Sequence, residues 1–523
     1  MFIDARTLPA ATEIETGLCI VGGGPAGITL AREVSAAAID VCLLESGGLD
    51  HDEDTQALSR GSNVGFPYYD QDLLQVRRFG GAGNVWSGAS RPLDVIDFEK
   101  RASIPHSGWP FDKAHLDPFY ERAHEVLELG PYRYEPELWE TAKARRLPLR
   151  DDRVVTAMYR NSPTRFGRRY RSEIERSPNI KTYLFANVVE VEANDEGRAV
   201  TGVRVATLEG HKLTVRAKAY VLAAGAIQNA RLLLASDRVQ RRGLGNDRDR
   251  VGRFFMEHLS VPGAVLLTSD PEVRTDLYSG REIGGVWGVG YLSPSAAFLG
   301  RQGLPNIRAF VLDTTPDEAS RKASLGVLSA GFLWNSLMAG EGVGSVTRHL
   351  RNAIADVDGV LLYGYYRAFR PVAGLLTLAS HIEQAPNPES RVTLSSDLDA
   401  LGMKRIALAW RFGELEREAL RRSNRLIAQA VGEAGIGRVR ILEDEPDTGW
   451  PRGVRGAWHQ MGTTRMHTDP SQGVVDANCR VHGIANLFVA GSSVFPTSGY
   501  TNPTLTIVAL AHRLADHLKL VLQ

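Results

Sequence analysis

The turn Gly22-Gly23-Gly24-Pro25-Ala26-Gly27 does most to narrow what this chain can fold into. Its glycines at 22, 24 and 27 give the spacing G-x-G-x-x-G. The apolar run Leu18-Cys19-Ile20-Val21 before it reads as a buried parallel strand, and residues 26–38 after it carry helical apolar spacing. A second short strand, Val41-Cys42-Leu43-Leu44, ends in Glu45, about 20 residues past the turn. Glycine lets the backbone turn tightly and approach a pyrophosphate. The helix amino terminus behind it offers unpaired N–H groups and a positive dipole end to that anion. Glu45 is placed to hold the ribose hydroxyls of an adenosine. Strand, turn, helix and acid in register predict an adenine dinucleotide site, where a lone glycine turn would predict only a tight bend.

A chain of 523 residues holds two to four domains' worth of core. Lys+Arg and Asp+Glu both number 61, so no broad positive field for nucleic acid is implied. Cys19, Cys42 and Cys479 form no metal-type spacing; two of them sit in predicted strands as small apolar side chains, and no metal is expected. Few cysteines, acids without an apolar h-region at the amino end, and no apolar run of about 18 residues predict a cytoplasmic protein without a membrane partner.

A second glycine cluster runs Arg78-Phe79-Gly80-Gly81-Ala82-Gly83-Asn84-Val85-Trp86-Ser87-Gly88. Asp117-Pro118 signals a helix over 116–129. Between 181 and 221 the period changes to two. Segments 183–191, 200–207 and 212–221 predict a three-stranded meander that runs on into Ala223-Ala224-Gly225 and a helix. Strands are expected at 286–292, 307–312, 391–394 and 406–412, and a long amphipathic helix at 414–433. Segment 487–493 reads as a buried strand entering a Gly–Ser turn, followed by a helix over 503–520. The fold class is α/β: a discontinuous FAD-binding Rossmann-type domain with an inserted α+β substrate domain, mainly antiparallel sheet plus helices. The expected partition is 1–100, 181–261 and 450–523 for the three parts of the FAD-binding domain, the last carrying catalytic residues. Residues 101–180 form a substrate-domain or linking segment, and 262–449 the substrate-binding domain. A meander inserted in a doubly wound sheet favours a flavin dinucleotide over a nicotinamide one.

From residue 18 onward the chain resembles the glucose-methanol-choline (GMC) oxidoreductases, which are FAD enzymes. The resemblance rests on the first fingerprint with Glu45, on Gly80-Gly81-Ala82-Gly83-Asn84-Val85-Trp86, and on a carboxyl-terminal block. That block comprises Trp458-His459-Gln460-Met461-Gly462-Thr463, Val475-Asp476-Ala477-Asn478-Cys479-Arg480-Val481, 487–493 and Asn502-Pro503. Asparagine at 502 is similar to pyranose oxidases and bacterial cholesterol oxidases. Without a recognisable steroid lid, the chain looks like the pyranose-oxidase and C-glycoside 3-oxidase branch. Pyranose oxidases with covalent flavin carry a histidine in the tripeptide occupied here by Asn84-Val85-Trp86. Valine cannot form that bond, so noncovalent FAD is expected.

Oxidising an alcohol by hydride transfer needs a base for the hydroxyl proton, a hydride acceptor, and a donor to hold the developing alkoxide charge. Imidazole suits the first task, with an ordinary pKa of about 6.5. The cofactor performs the second, and a neutral carboxamide the third. The resemblance assigns these protein roles to His459 and Asn502, although Asn502 could equally cap the last helix. Cofactor contacts are expected at Gly22, Gly24, Pro25, Ala26, Gly27, Glu45, Arg78, Gly80, Gly81, Gly83, Asn84, Val85, Trp86 and Ser87. Further along the chain they are expected at Val188 beside Asn187, Ala224, Gly225, Gly491, Ser492, Asn502, Pro503 and Thr504. His258 and His381 read as structural histidines, and Trp287, Trp334, Tyr363, Tyr365 and Tyr366 as core aromatics of the inserted domain. The expected partners are a sugar or glycoside alcohol and oxygen or another electron acceptor. The open alternatives are a sterol, polycyclic or aryl alcohol as substrate, an FAD lyase or decarboxylase without net oxidation, and a nicotinamide dehydrogenase. Oligomeric state is not legible.

Overall fold

The computed structural model describes all residues except 271, 272, 274, 315–323, 340–345 and 369–373, and gives the backbone alone at 335, 336, 338, 339 and 365–368. The first sheet grows from the apolar runs at the head of the chain. Leu18, Cys19 and Ile20 are wholly buried on Thr12–Val21, each large apolar side chain contributing about 1.5–3 kcal/mol. Val41–Leu44, Ile180–Leu184 and Phe2–Asp4 follow in parallel on one side. Lys212–Leu222 lies on the other side and serves two neighbours. Its first half pairs antiparallel with Val200–Ala206 of the meander, and Tyr220–Leu222 pairs parallel with Leu487–Val489 from the tail. Helices Pro25–Ser35 and Thr504–Leu522 pack together against this sheet.

The second sheet is antiparallel in the order Gly437–Ile441, Leu259–Thr268, Leu375–Ile382, Ile307–Leu312, Val286–Pro294, Val154–Asn161, Ala89–Ser90. Helix Glu414–Glu433 buries Leu426, Ile427, Ala430 and Val431 with Ala264, Leu266, Leu292 and Leu378 of these strands. The sheet also takes Arg455–Gly456, so it draws on segments 1–100, 101–180 and 450–523 as well as 262–449.

Local expectations at two places give way to the structure. The strand expected at 183–191 breaks at Phe185, whose φ is +55°. Ile180–Leu184 therefore joins the parallel strands, and Asn187–Ala193 alone opens the meander. The helix expected at 116–129 begins earlier, as Lys113–Val126, because Asp112 accepts from the His115 N–H at 2.9 Å and caps it, leaving Pro118 inside. Two expected core aromatics are on the surface: Trp287 is 45% and Trp334 63% exposed. Tyr363 is half-buried, and Tyr365 and Tyr366 lie outside the described side chains. Among the described residues no helix is long and apolar enough to cross a membrane.

Candidate active site

A cavity of about 710 Å³ opens where Thr12–Val21 and Val41–Leu44 reach their carboxyl ends, the usual ligand position in an open parallel sheet. The glycine turn divides its labour. A Cβ on Gly27 would lie 1.9 Å from the Gly22 carbonyl oxygen, so Gly27 lets the helix lie close on the strand and does not face the cavity. A Cβ on Gly24, Gly225 or Gly491 would meet nothing within 4 Å, and all three line the cavity. Gly24 precedes helix Pro25–Ser35, and Gly225 precedes Ala226–Ala235. Pro503 precedes Thr504–Leu522. Three helix amino ends with unpaired N–H groups thus face one space, as an anionic cofactor requires. The buried Asn187 Oδ1, also in the wall, has no hydrogen-bond partner in the protein.

Gly22, Pro25, Ala26, Arg78, Gly81, Gly83, Val85, Trp86, Ser87, Val188, Ala224, Ser492 and Thr504 line the same cavity. Glu45 does too, but its carboxylate spans two backbone groups. Oε2 accepts from Gly23 N–H and Oε1 from Gly47 N–H, each at 2.9 Å. Oε1 also receives the Ser46 hydroxyl at 3.4 Å, and Oε2 keeps a lone pair for a further donor. Burial raises its pKa, against those N–H bonds. Gly80 and Asn84 lie beneath the cavity wall. Asn84 Nδ2 donates to the Phe79 carbonyl and its Oδ1 accepts from Gly167 N–H, both at 2.8 Å, so this side chain pins the loop to helix Phe166–Arg176.

His459 and Asn502 meet in the cavity wall, with Asn502 Nδ2 3.0 Å from His459 Nε2. Asn502 caps nothing: the cap position of the last helix is Pro503, and the carboxamide is turned to His459 and Arg308. The other ring nitrogen, His459 Nδ1, is 2.9 Å from His258 Nδ1, and His258 Nε2 is 3.3 Å from the Ser498 carbonyl oxygen. A carbonyl only accepts, so His258 carries its proton on Nε2 and presents a lone pair at Nδ1. His459 must then donate from Nδ1, which leaves its Nε2 as a lone pair receiving Asn502 Nδ2. Burial first, then His258 and Arg308, holds the His459 pKa well below the ordinary imidazole value. Burial and Arg308 push His258 down to about 3. The cavity therefore presents a neutral imidazole whose Nε2 lone pair, held by the Asn502 N–H, can take a hydroxyl proton once a substrate displaces that donor.

Glu257, wholly buried, fixes this pair through the backbone. Its Oε1 accepts from His258 N–H at 2.8 Å and His459 N–H at 2.7 Å, and Tyr68 Oη donates to Oε2. Burial pushes its pKa up to about 7. His381 also stands near, its ring centroid 6.3 Å from that of His459. His258 and His381, read as structural from the sequence, thus belong to the site, and Glu257 and Arg308 were missed. Their spacing carries no motif. The available signal was a lone arginine within the apolar strand Ile307–Leu312.

Residues 386–511 match the family model described as GMC oxidoreductase, and residues 18–245 match one described as FAD dependent oxidoreductase. By these matches the chain is similar to the GMC oxidoreductases. It is an FAD-dependent oxidoreductase acting on CH–OH groups. The chain is 27% identical to 6'''-hydroxyparomomycin C oxidase of Streptomyces lividus across 98% of its own length and 93% of the relative's. It is 37% identical to C-glycoside 3-oxidase of Arthrobacter globiformis over 130 residues, 24% of this chain and 23% of that one. Among solved structures, formate oxidase of Aspergillus oryzae RIB40 shares the fold, with a TM-score of 0.56, 18% identity, and coverage of 98% of this chain and 99% of that one.

Proposed function

We propose that this protein oxidises a secondary hydroxyl of a sugar or glycoside to a ketone, with FAD held noncovalently. The observation that carries the reading is His459 Nε2 in the cavity wall, 3.0 Å from Nδ2 of the Asn502 carboxamide. A substrate hydroxyl that displaces the Asn502 N–H from Nε2 gives its proton there, while the freed N–H holds the alkoxide charge as it develops. Bound FAD supplies the hydride acceptor. The helix ends at Gly24, Gly225 and Pro503 would hold its phosphates and its electron-rich ring edge, and Glu45 a ribose hydroxyl. The amide edge at Asn187 and Val188 would take the adenine. Electrons then leave to oxygen or another acceptor. The names of the two relatives above, a hydroxyparomomycin oxidase and a C-glycoside oxidase, support the substrate class.

The test is anaerobic incubation of the purified holoenzyme with sugars, glycosides, sterols and aryl alcohols, watching the flavin absorption bleach. Sugars or glycosides should bleach it and yield ketones. Bleaching by sterols or aryl alcohols alone would overturn the substrate class, and turnover without bleaching would point to a lyase. Val85, which stands in the wall where a linking histidine would be needed, also predicts the mode of attachment. Acid precipitation should release the yellow chromophore to the supernatant, and a yellow pellet would contradict noncovalent binding.

A further inference from the structure

Arg308 is 1% exposed, and among the described residues it has no carboxylate partner. Its guanidinium carbon lies 4.2 Å from the ring centre of Tyr159 and 4.9 Å from those of Tyr291 and Phe310. These aromatic faces offset part of the cost of burying the charge. Nε and Nη1 make no hydrogen bond. Only Nη2 does, donating to Asn502 Oδ1 at 2.8 Å and to Nδ1 of His381, its direct cross-strand neighbour, at 3.1 Å. A buried, unpaired cation is costly to keep for packing alone.

We infer that Arg308 is a positioning residue for the oxidation: it holds the Asn502 carboxamide with Oδ1 toward itself and Nδ2 toward His459, so that the acceptor side of the imidazole faces the cavity. The argument is one of bond direction. A guanidinium only donates and a carbonyl only accepts. With Arg308 at one end and the Ser498 carbonyl at the other, each bond in the row Arg308, Asn502, His459, His258, Ser498 has one allowed direction. If the carboxamide were turned over, Oδ1 would face His459 Nε2 and demand a proton there. A neutral His459 would then set its Nδ1 lone pair against that of His258 at 2.9 Å. The only escape is a protonated His459, which cannot act as a base. Arg308 opposes that form as well, since its positive charge lies one residue behind the imidazole. The other groups facing His459 are His258, His381 and the Glu257 carboxyl beneath its N–H, with Arg455 beyond His381. His258 and His381 are themselves held neutral, so Arg308 is the cation nearest the base.

The inference rests on His459 being that base, and its test is separable from the test of that reading. In the Arg308→Met holoenzyme the anaerobic flavin-reduction rate should fall roughly 10²-fold with KM little changed. The acid limb of its pH profile should rise by about one unit or more as the charge is removed. Without substrate, the imidazole titration of His459, followed by NMR in histidine-labelled holoenzyme and assigned through His459→Gln, should rise with it. Arg308→Lys, which keeps charge and donor, should restore both pH values. If Arg308→Met does not accumulate with FAD, Arg308→Gln, neutral and similar in reach, is read for the same two shifts. A full-FAD variant with an unmoved acid limb and an unmoved NMR midpoint would overturn the inference. If His459 were not the base, the wild type would show no acid limb from it and His459→Ala would keep its rate, whatever Arg308→Met did.

Discussion

His459→Ala should stay yellow but reduce its flavin roughly 10²–10⁴-fold more slowly than the wild type, the usual cost of removing a general base. The retained colour follows from position. The glycines and helix ends facing the cofactor space lie on other segments, and the one backbone bond His459 makes to Glu257 survives the change. The slowed chemistry follows from the absence of a substitute. His258 is the nearest imidazole, but it is fully buried, its Nε2 is committed to the Ser498 carbonyl, and it does not line the cavity. Stopped-flow absorbance under anaerobic conditions reads the effect directly. A variant that bleached at near-normal speed would remove His459 from the chemistry.

The other large effect is expected at Gly27→Ala. The new methyl would sit 1.9 Å from the Gly22 carbonyl oxygen, so helix Pro25–Ser35 must move off its strand by more than 1 Å. Overpacking of this kind costs about 1–3 kcal/mol, and the motion carries the helix amino end away from its anion. We expect the purified protein to lose most of its FAD, with the affinity reduced about tenfold or more. Gly24→Ala is the informative companion. Its methyl meets nothing within 4 Å in the protein, so the fold and thermal stability should be kept while FAD binding falls, because the methyl enters the cofactor's space. If Gly27→Ala held FAD as tightly as the wild type, the close approach of helix and strand would not matter for binding.

What could be read from the sequence was whatever local chemistry writes into adjacent positions. Glycine spacing located the turn that lines the cavity, alternation located the last two strands of the meander, and periodicity bounded the helix Glu414–Glu433 without error. Side chains acting at a distance left less trace. Arg308 and His381 become neighbours only because their strands pair in one register, and His258 reaches His459 across 201 residues of chain. Asn84 lies within a glycine cluster that does line the cavity, yet its own amide is used up on Phe79 and Gly167. No local pattern distinguishes a side chain aimed at a ligand from one aimed at its own loop. The break at Phe185 escaped notice because an aromatic residue at positive φ is uncommon.

The shared acceptor on Glu257 has a mechanical consequence. One oxygen atom ties the main chain at His258 to that at His459, and paired hydrogen bonds between Met256 and Met461 stitch the same two segments together in an antiparallel bridge beside it. Motion of the cavity walls cannot part these two stretches of main chain without first breaking this seam, so the proposed proton acceptor keeps a fixed footing.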